Sequence, residues 1–233
     1  LVPEAMIIRR FQLPLRQGLT LSTETLDTRE GFWIIQDDQF AEASPLFGFS
    51  AETLAVVQHQ LEHPSATSPS VQWALACLTL DKEAVKIRVN GMIPRLAIPE
   101  TEELAQQLAD KGYSTVKVKV SPRVELERER LDCIAKKGFS LRLDANQSLT
   151  LEQAEILVED SPELEYLEEP LQPLKDPIRH VLNLEELTAR TVVPYALDET
   201  LLRLQPEELA KVAPQLDGLS TIILKPMLLC SAI

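Results

Sequence analysis

The chain is short of the residues that build covalent or zinc-based scaffolds. Its 233 residues include three cysteines, Cys77, Cys133 and Cys230, an odd number and widely spaced. That argues against a disulfide framework or a zinc site and fits a reducing cytoplasm. Long basic runs are also missing, and the formal net charge is −13 with a pI near 4.8. Non-specific binding to nucleic acid or to an anionic membrane is therefore not expected, and an anionic substrate would need a local cationic pocket. No apolar run approaches the ~20 residues of a membrane span. The residues before Met6 show no basic stretch leading into an apolar core, so no signal peptide is expected and Met6 can serve as a start. These absences point to a cytoplasmic protein without membrane insertion.

A hydrophobic content of 45% is ample for a buried core. Two patterns divide the chain. Residues 1–85 read as an α+β domain. It has strands over 6–13 and 31–36, a polar mobile loop over 20–30 and a turn-rich loop over 44–49. One helix runs from a Ser50 cap to about Glu62, and a second covers 70–80 with Val71, Leu75 and Leu78 on one face. Residues 86–233 alternate strand and helix. Strands are expected over 85–93, 115–120, 140–143, 165–167, 192–197 and 219–224, the first five each followed by a helix, with Gly112 and Gly138 at helix ends.

A polar residue closes most of these apolar strands. Lys119, Asp144, Glu168, Asp198 and Lys225 follow one another at intervals of 25, 24, 30 and 27 residues, the length of one strand plus one helix. Successive units that each deliver a polar residue at the strand's carboxyl end favour a (β/α) barrel over a doubly wound sheet, whose chemistry gathers at one switch point. Lys117 and Lys119 share one side of a strand, and inside a barrel both need carboxylate partners or a function. Burial and a neighbouring cation would lower a lysine's pKa, as a general base requires. Glu168 and Glu169 repel each other unless a cation or donor sits between apolar strand and loop. Three acids from adjacent units form an oxygen-rich site suited to Mg²⁺, with lysines placed to abstract a proton beside a carboxylate.

Other features have plainer explanations. His59 and His63 lie four apart on one helix, but without a third ligand they read as a solvated face. His180 is uninformative by itself. The run over 125–129, interleaved with Arg128 and Arg130, reads as a solvated helix surface.

The ordered set Lys-x-Lys (117–119), Asp-Ala-Asn (144–146), Glu-Glu-Pro (168–170), Asp-Glu (198–199) and Lys-Pro (225–226) resembles the enolase superfamily, in its muconate-lactonizing-enzyme-like branch. Residues 28–31, 44–50, 69–71, 141–146 and 223–226 look most like the o-succinylbenzoate synthase family within it, and the likeness runs from about Met6 to Pro226. The resemblance implies Lys119 as the base, Lys117 as its helper, Asp144, Glu168 and Asp198 as Mg²⁺ ligands (with Mn²⁺ as a possible substitute), and Lys225 on the opposite face. It makes Arg142, Asn146 and Glu199 substrate or supporting contacts, and it implies that loops 20–30 and 44–49 close over the substrate. The implied partner is a small-molecule carboxylate. The implied reaction is syn dehydration of 2-succinyl-6-hydroxy-2,4-cyclohexadiene-1-carboxylate to 2-succinylbenzoate, in menaquinone or phylloquinone biosynthesis.

A complete eight-unit barrel takes roughly 250 residues, and the 147 after Lys86 hold six strands. The expectation is therefore a barrel lacking its last two βα units, with two edges that an oligomer could cover. Two other readings stand beside the dehydratase. One is an N-acylamino acid racemase or dipeptide epimerase of the same superfamily, and the other is a catalytically inactive scaffold.

Overall fold

In the computed structural model, the described residues are 6–20, 25–46, 48–63, 67–80, 86–159, 161 and 164–229. They form two compact units, Leu1–Ala84 with Leu224–Ile233 and Val85–Ile223.

The first unit is an antiparallel sheet of β1 (Ile7–Thr20), β2 (Thr25–Gln36) and β3 (Gln39–Ala43), joined by helices α1 (Leu54–Glu62) and α2 (Pro69–Thr79) and a short helix over Pro226–Leu229. Opposite Ala43 and Ala41 on β3 stand Phe32 and Ile34. All four are buried with Val57, Leu61, Val71 and Ala74 in one core. Gly31 is required by close approach, since a Cβ there would lie 2.5 Å from Ser44 Cβ. Thr53, not Ser50, caps α1 by accepting from Val56 N, while Ser50 Oγ accepts from Leu46 N at 2.8 Å.

The polar segment expected as a loop over 20–30 is strand from Thr25 onward, and residues 21–24 lie outside the described residues. Its backbone is paired, with Leu13 opposite Arg29 and Leu19 opposite Leu26. Because little of this ribbon is buried, its side chains are polar without being loop. Strand β3, not expected from the sequence, follows a two-residue turn at Asp37-Asp38 with Asp37 at φ 53°.

The second unit runs β4 (Gly91–Ile93), α3 (Ile98–Asp110), β5 (Thr115–Lys119), α4 (Val124–Ala135), β6 (Ser140–Asp144), α5 (Leu151–Val158) and β7 (Leu164–Glu168). It continues with α6 (Pro177–Thr191), β8 (Tyr195–Leu197), a 3₁₀ turn (Glu199–Arg203), α7 (Pro206–Val212) and β9 (Leu219–Ile222). All six strands are parallel and lie in chain order from β4 to β9. A doubly wound sheet would reverse that order part-way, whereas a barrel does not. The fold is therefore α/β, a six-stranded part of a (β/α) barrel.

On β5 and β6, Val116, Val118, Leu141 and Leu143 are buried, leaving Thr115, Lys117, Lys119, Ser140 and Arg142 on the alternate face. Gly112 and Gly138 end α3 and α4 at φ 80° and 75°. Two strands are shorter than expected. Residues 86–90 precede β4 without regular structure, and Val192 at φ 63° delays β8 to Tyr195.

Helix α4 corrects the reading of a solvated charged surface, because Glu127 and Arg130 are buried together with Val124, Leu131 and Ile134. The two are ion-paired. Arg130 also donates to Thr101 Oγ1 at 3.2 Å, to Lys119 O at 3.3 Å and to Pro94 O at 2.8 Å. A buried guanidinium persists where its donors are satisfied in this way.

Candidate active site

Strand register assembles the site. Lys119 on β5 is level with Asp144 on β6, which is level with Glu168 on β7, and Asp198 directly follows β8. Asp144 and Glu168 are 1% exposed and Asp198 is 6% exposed. Lys117 Nζ lies 2.8 Å from Asp144 Oδ2 and donates to Glu168 Oε1 at 2.7 Å. Lys119 Nζ lies 2.5 Å from Asp144 Oδ2 and donates to Asn146 Oδ1 at 2.7 Å. Asn146, at φ 45°, uses its own backbone N–H to bond Asp144 Oδ1 and its amide to reach Glu199 Oε1 at 3.4 Å. Two ammonium groups and two carboxylates thus meet at the carboxyl ends of three adjacent strands.

The electrostatics are strained at Glu168. Burial and the neighbouring Asp144 push its carboxyl up to about 7, with Asp198 adding to the rise and Lys117 opposing it. Asp144 goes the other way. Burial would raise it, but Lys117 and Lys119 together hold it below the usual carboxylate range. Lys117 is raised, contrary to the lowering expected from burial and a nearby cation, because its bonds to Asp144 and Glu168 outweigh burial. Carboxylates thus dominate its surroundings.

Whether these residues suit a divalent cation can be tested on their own chemistry. Glu168 Oε2 is buried and lies 2.6 Å from Lys117 Nζ, but off the line of a hydrogen bond. An under-satisfied carboxylate oxygen, made costly by two further carboxylates, fits a hard cation. Among the described residues, no three His, Cys, Asp or Glu side chains converge at coordinating distance. The donor set is right for Mg²⁺, while lysine ammonium groups neutralise it here.

Arg142 lies one step down the inner face of β6. It bonds Glu165 Oε2 at 2.6 Å and Asn90 at 3.3 Å, and its guanidinium sits 5.4 Å over the Tyr166 ring. Glu165 also accepts from Ser140 at 2.8 Å and Thr115 at 3.2 Å, forming a polar floor beneath the lysines. An irregularity places Glu165 as the extra residue between the Leu141–Leu164 and Arg142–Tyr166 pairs. Lys225 belongs to the first unit, its Nζ 5.9 Å from the centre of the Phe49 ring. His59 and His63 are exposed and stacked at 4.5 Å.

Sequence reasoning gave no role to Glu169, Gln147 or Thr200, which surround the site. The adjacency of Glu168 and Glu169 did signal a nearby cation or donor. Both are present, the Lys117 ammonium at Glu168 and N–H donors at Glu169.

Known proteins resemble the chain in sequence and in fold. Residues 100–213 match the family described as enolase C-terminal domain-like, and residues 4–81 match the MenC N-terminal domain. An o-succinylbenzoate synthase of Vibrio cholerae serotype O1 is 30% identical over 95% of this chain and 72% of its own length. Among solved structures, o-succinylbenzoate synthase from Thermosynechococcus elongatus BP-1, complexed with Mg in its active site, superposes with TM-score 0.73. It is 21% identical, over 96% of this chain and 76% of that one. The L-Ala-D/L-Glu epimerase from Bacillus subtilis gives TM-score 0.74 at 17% identity, over 97% and 75%. On the strength of the sequence match, this chain belongs to the o-succinylbenzoate synthase family of the enolase superfamily.

Proposed function

We propose that the chain is a Mg²⁺-dependent, cytoplasmic carbon–oxygen lyase that dehydrates 2-succinyl-6-hydroxy-2,4-cyclohexadiene-1-carboxylate to 2-succinylbenzoate, a step of menaquinone or phylloquinone synthesis. One observation carries the proposal: Lys117 and Lys119 converge on the buried Asp144 and Glu168 at the ends of adjacent parallel strands. Asp144, Glu168 and Asp198 would hold Mg²⁺. The ion would supply positive charge beside the substrate carboxylate and so acidify the adjacent C–H bond. Lys119, acting as the neutral amine, takes that proton and passes it to the departing ring hydroxyl, which leaves as water, and aromatisation favours the product. Lys117 orients the substrate carboxylate and bridges Asp144 to Glu168. Asn146 holds Lys119 in place, and Arg142 with Glu165 supports the strand floor beneath it. Lys225 is assigned, on the sequence resemblance alone, as the lysine on the opposite face of the substrate.

An epimerase or racemase of the same superfamily is the competing reading, supported by the equal structural likeness to the Bacillus subtilis epimerase. The curated sequence relatives favour the dehydratase. The two readings separate in deuterated water containing Mg²⁺. The dehydratase reading requires 2-succinylbenzoate from the cyclohexadiene substrate and slow or no deuterium uptake by N-succinyl amino acids or dipeptides. Exchange as fast as dehydration would remove the preference.

A further inference from the structure

Glu169 is fully buried and adopts φ 41°, a conformation unfavourable for a residue with a side chain. Its carboxylate is saturated with donors. Oε1 accepts from Asp198 N at 2.7 Å and Thr200 N at 2.8 Å, and Oε2 accepts from Thr200 Oγ1 at 2.7 Å and Gln147 Nε2 at 2.9 Å. Its main chain is held as well, with Gln147 N donating to Glu169 O at 2.6 Å and Glu169 N donating to Ala196 O at 3.0 Å. Gln147 is itself left-handed at φ 56°. Behind Glu169, His180 Nε2 stands 4.0 Å from Oε2, fully buried.

These bonds join three successive strand-end loops, after β6, β7 and β8, and each loop or strand end carries one carboxylate of the site. From these bonds we infer that Glu169 is a positioning residue that fixes Asp198 relative to Asp144 and Glu168, and hence sets affinity for the divalent ion. The inference rests on the reading of those three carboxylates as the Mg²⁺ donors. Asp198 follows a three-residue strand and begins a 3₁₀ turn, so its direction depends on where its own N–H and that of Thr200 are anchored. One carboxylate oxygen anchors both. The strained backbone at 169 is tolerated because six hydrogen bonds over-determine it.

The test is Mn²⁺ binding to the full chain, followed by electron paramagnetic resonance of free Mn²⁺, with circular dichroism as a check on folding. Glu169→Gln keeps an oxygen for the two main-chain donors but sets an NH₂ group against the NH₂ of Gln147. The expected weakening is about 10- to 100-fold, the range typical of groups that orient metal ligands. The exchange Glu169→Gln with Gln147→Glu restores the donor–acceptor match and returns affinity to within about threefold. If Glu169→Gln does not fold, Thr200→Val removes one donor more gently and still weakens Mn²⁺ binding. Affinity within about twofold of wild type in whichever variant folds overturns the inference, as does weakening that the exchange does not repair. Asp198→Asn separates the two levels. Loss of Mn²⁺ binding there, with binding retained in Glu169→Gln, refutes the positioning role alone. A wild-type chain that binds no Mn²⁺ refutes the donor assignment together with it.

Discussion

Lys119 is the proposed base, and its removal is the sharpest test at the scale of one residue. General-base contributions typically run to about 10²–10⁴-fold, so Lys119→Ala should lose about that much turnover while the folded state persists. A second residue-scale expectation concerns His180, which is buried with neither ring nitrogen hydrogen-bonded. Burial lowers its pKa, with Glu169 pulling upward and Arg203 downward. The unfolded chain therefore takes up a proton near pH 6.5 that the folded chain resists, and stability falls as pH drops through that value. The denaturant midpoint should fall less between pH 7.5 and 5.5 in His180→Phe than in wild type, and equal slopes would contradict this. Residues that close apolar strands were readable because strand geometry fixes where they point. Glu169 was not, because adjacency to Glu168 says nothing of which backbone N–H groups approach from the next loop.

At the scale of elements, α4 shows how a charge pattern misleads. Glu127 and Arg130 looked like part of a solvated run, yet they share the helical face of Val124, Leu131 and Ile134, three and four residues apart. That spacing was the available signal. The guanidinium fastens the backbone after β4 and at the end of β5, where Lys119 sits. Arg130→Met leaves Glu127 buried without its partner and should cost about 3–5 kcal/mol in chemical denaturation, whereas Glu127→Leu with Arg130→Met should recover most of it. An equal loss in the single and double variants would show that the charges are not coupled. The first sheet failed differently. Residues 25–30 were too polar to read as strand, because exposed strands lack the alternation that burial imposes. Helix α2 was legible to within a residue, expected over 70–80 and found at Pro69–Thr79.

Across the whole molecule, the recurrence of strand, polar end and helix was enough to deduce parallel strands in chain order. The split was less visible, because the segment from Leu224 groups with the first unit although it follows the last strand. No sequence pattern marks that return, which depends on packing against α2, with Ser44 Oγ 3.8 Å from Met227 Sδ. Since Asp144, Glu168 and Asp198 all belong to the second unit, Mg²⁺ should stabilise the transition that includes that unit. By mass action, a concentration 100 times the dissociation constant adds about 2.7 kcal/mol. Calorimetry in MgCl₂ against EDTA should show the shift, and an unchanged melt would oppose the donor assignment.

The central claim is that Lys119 removes a proton beside a carboxylate in a dehydration supported by the three acids. Its most direct test is the rate of 2-succinylbenzoate formation by this chain and by Lys119→Ala, each with saturating Mg²⁺. The account predicts Mg²⁺-dependent product from the wild type and a loss of about 10²–10⁴-fold in the variant. Product formed equally fast by both, or by neither, would contradict it.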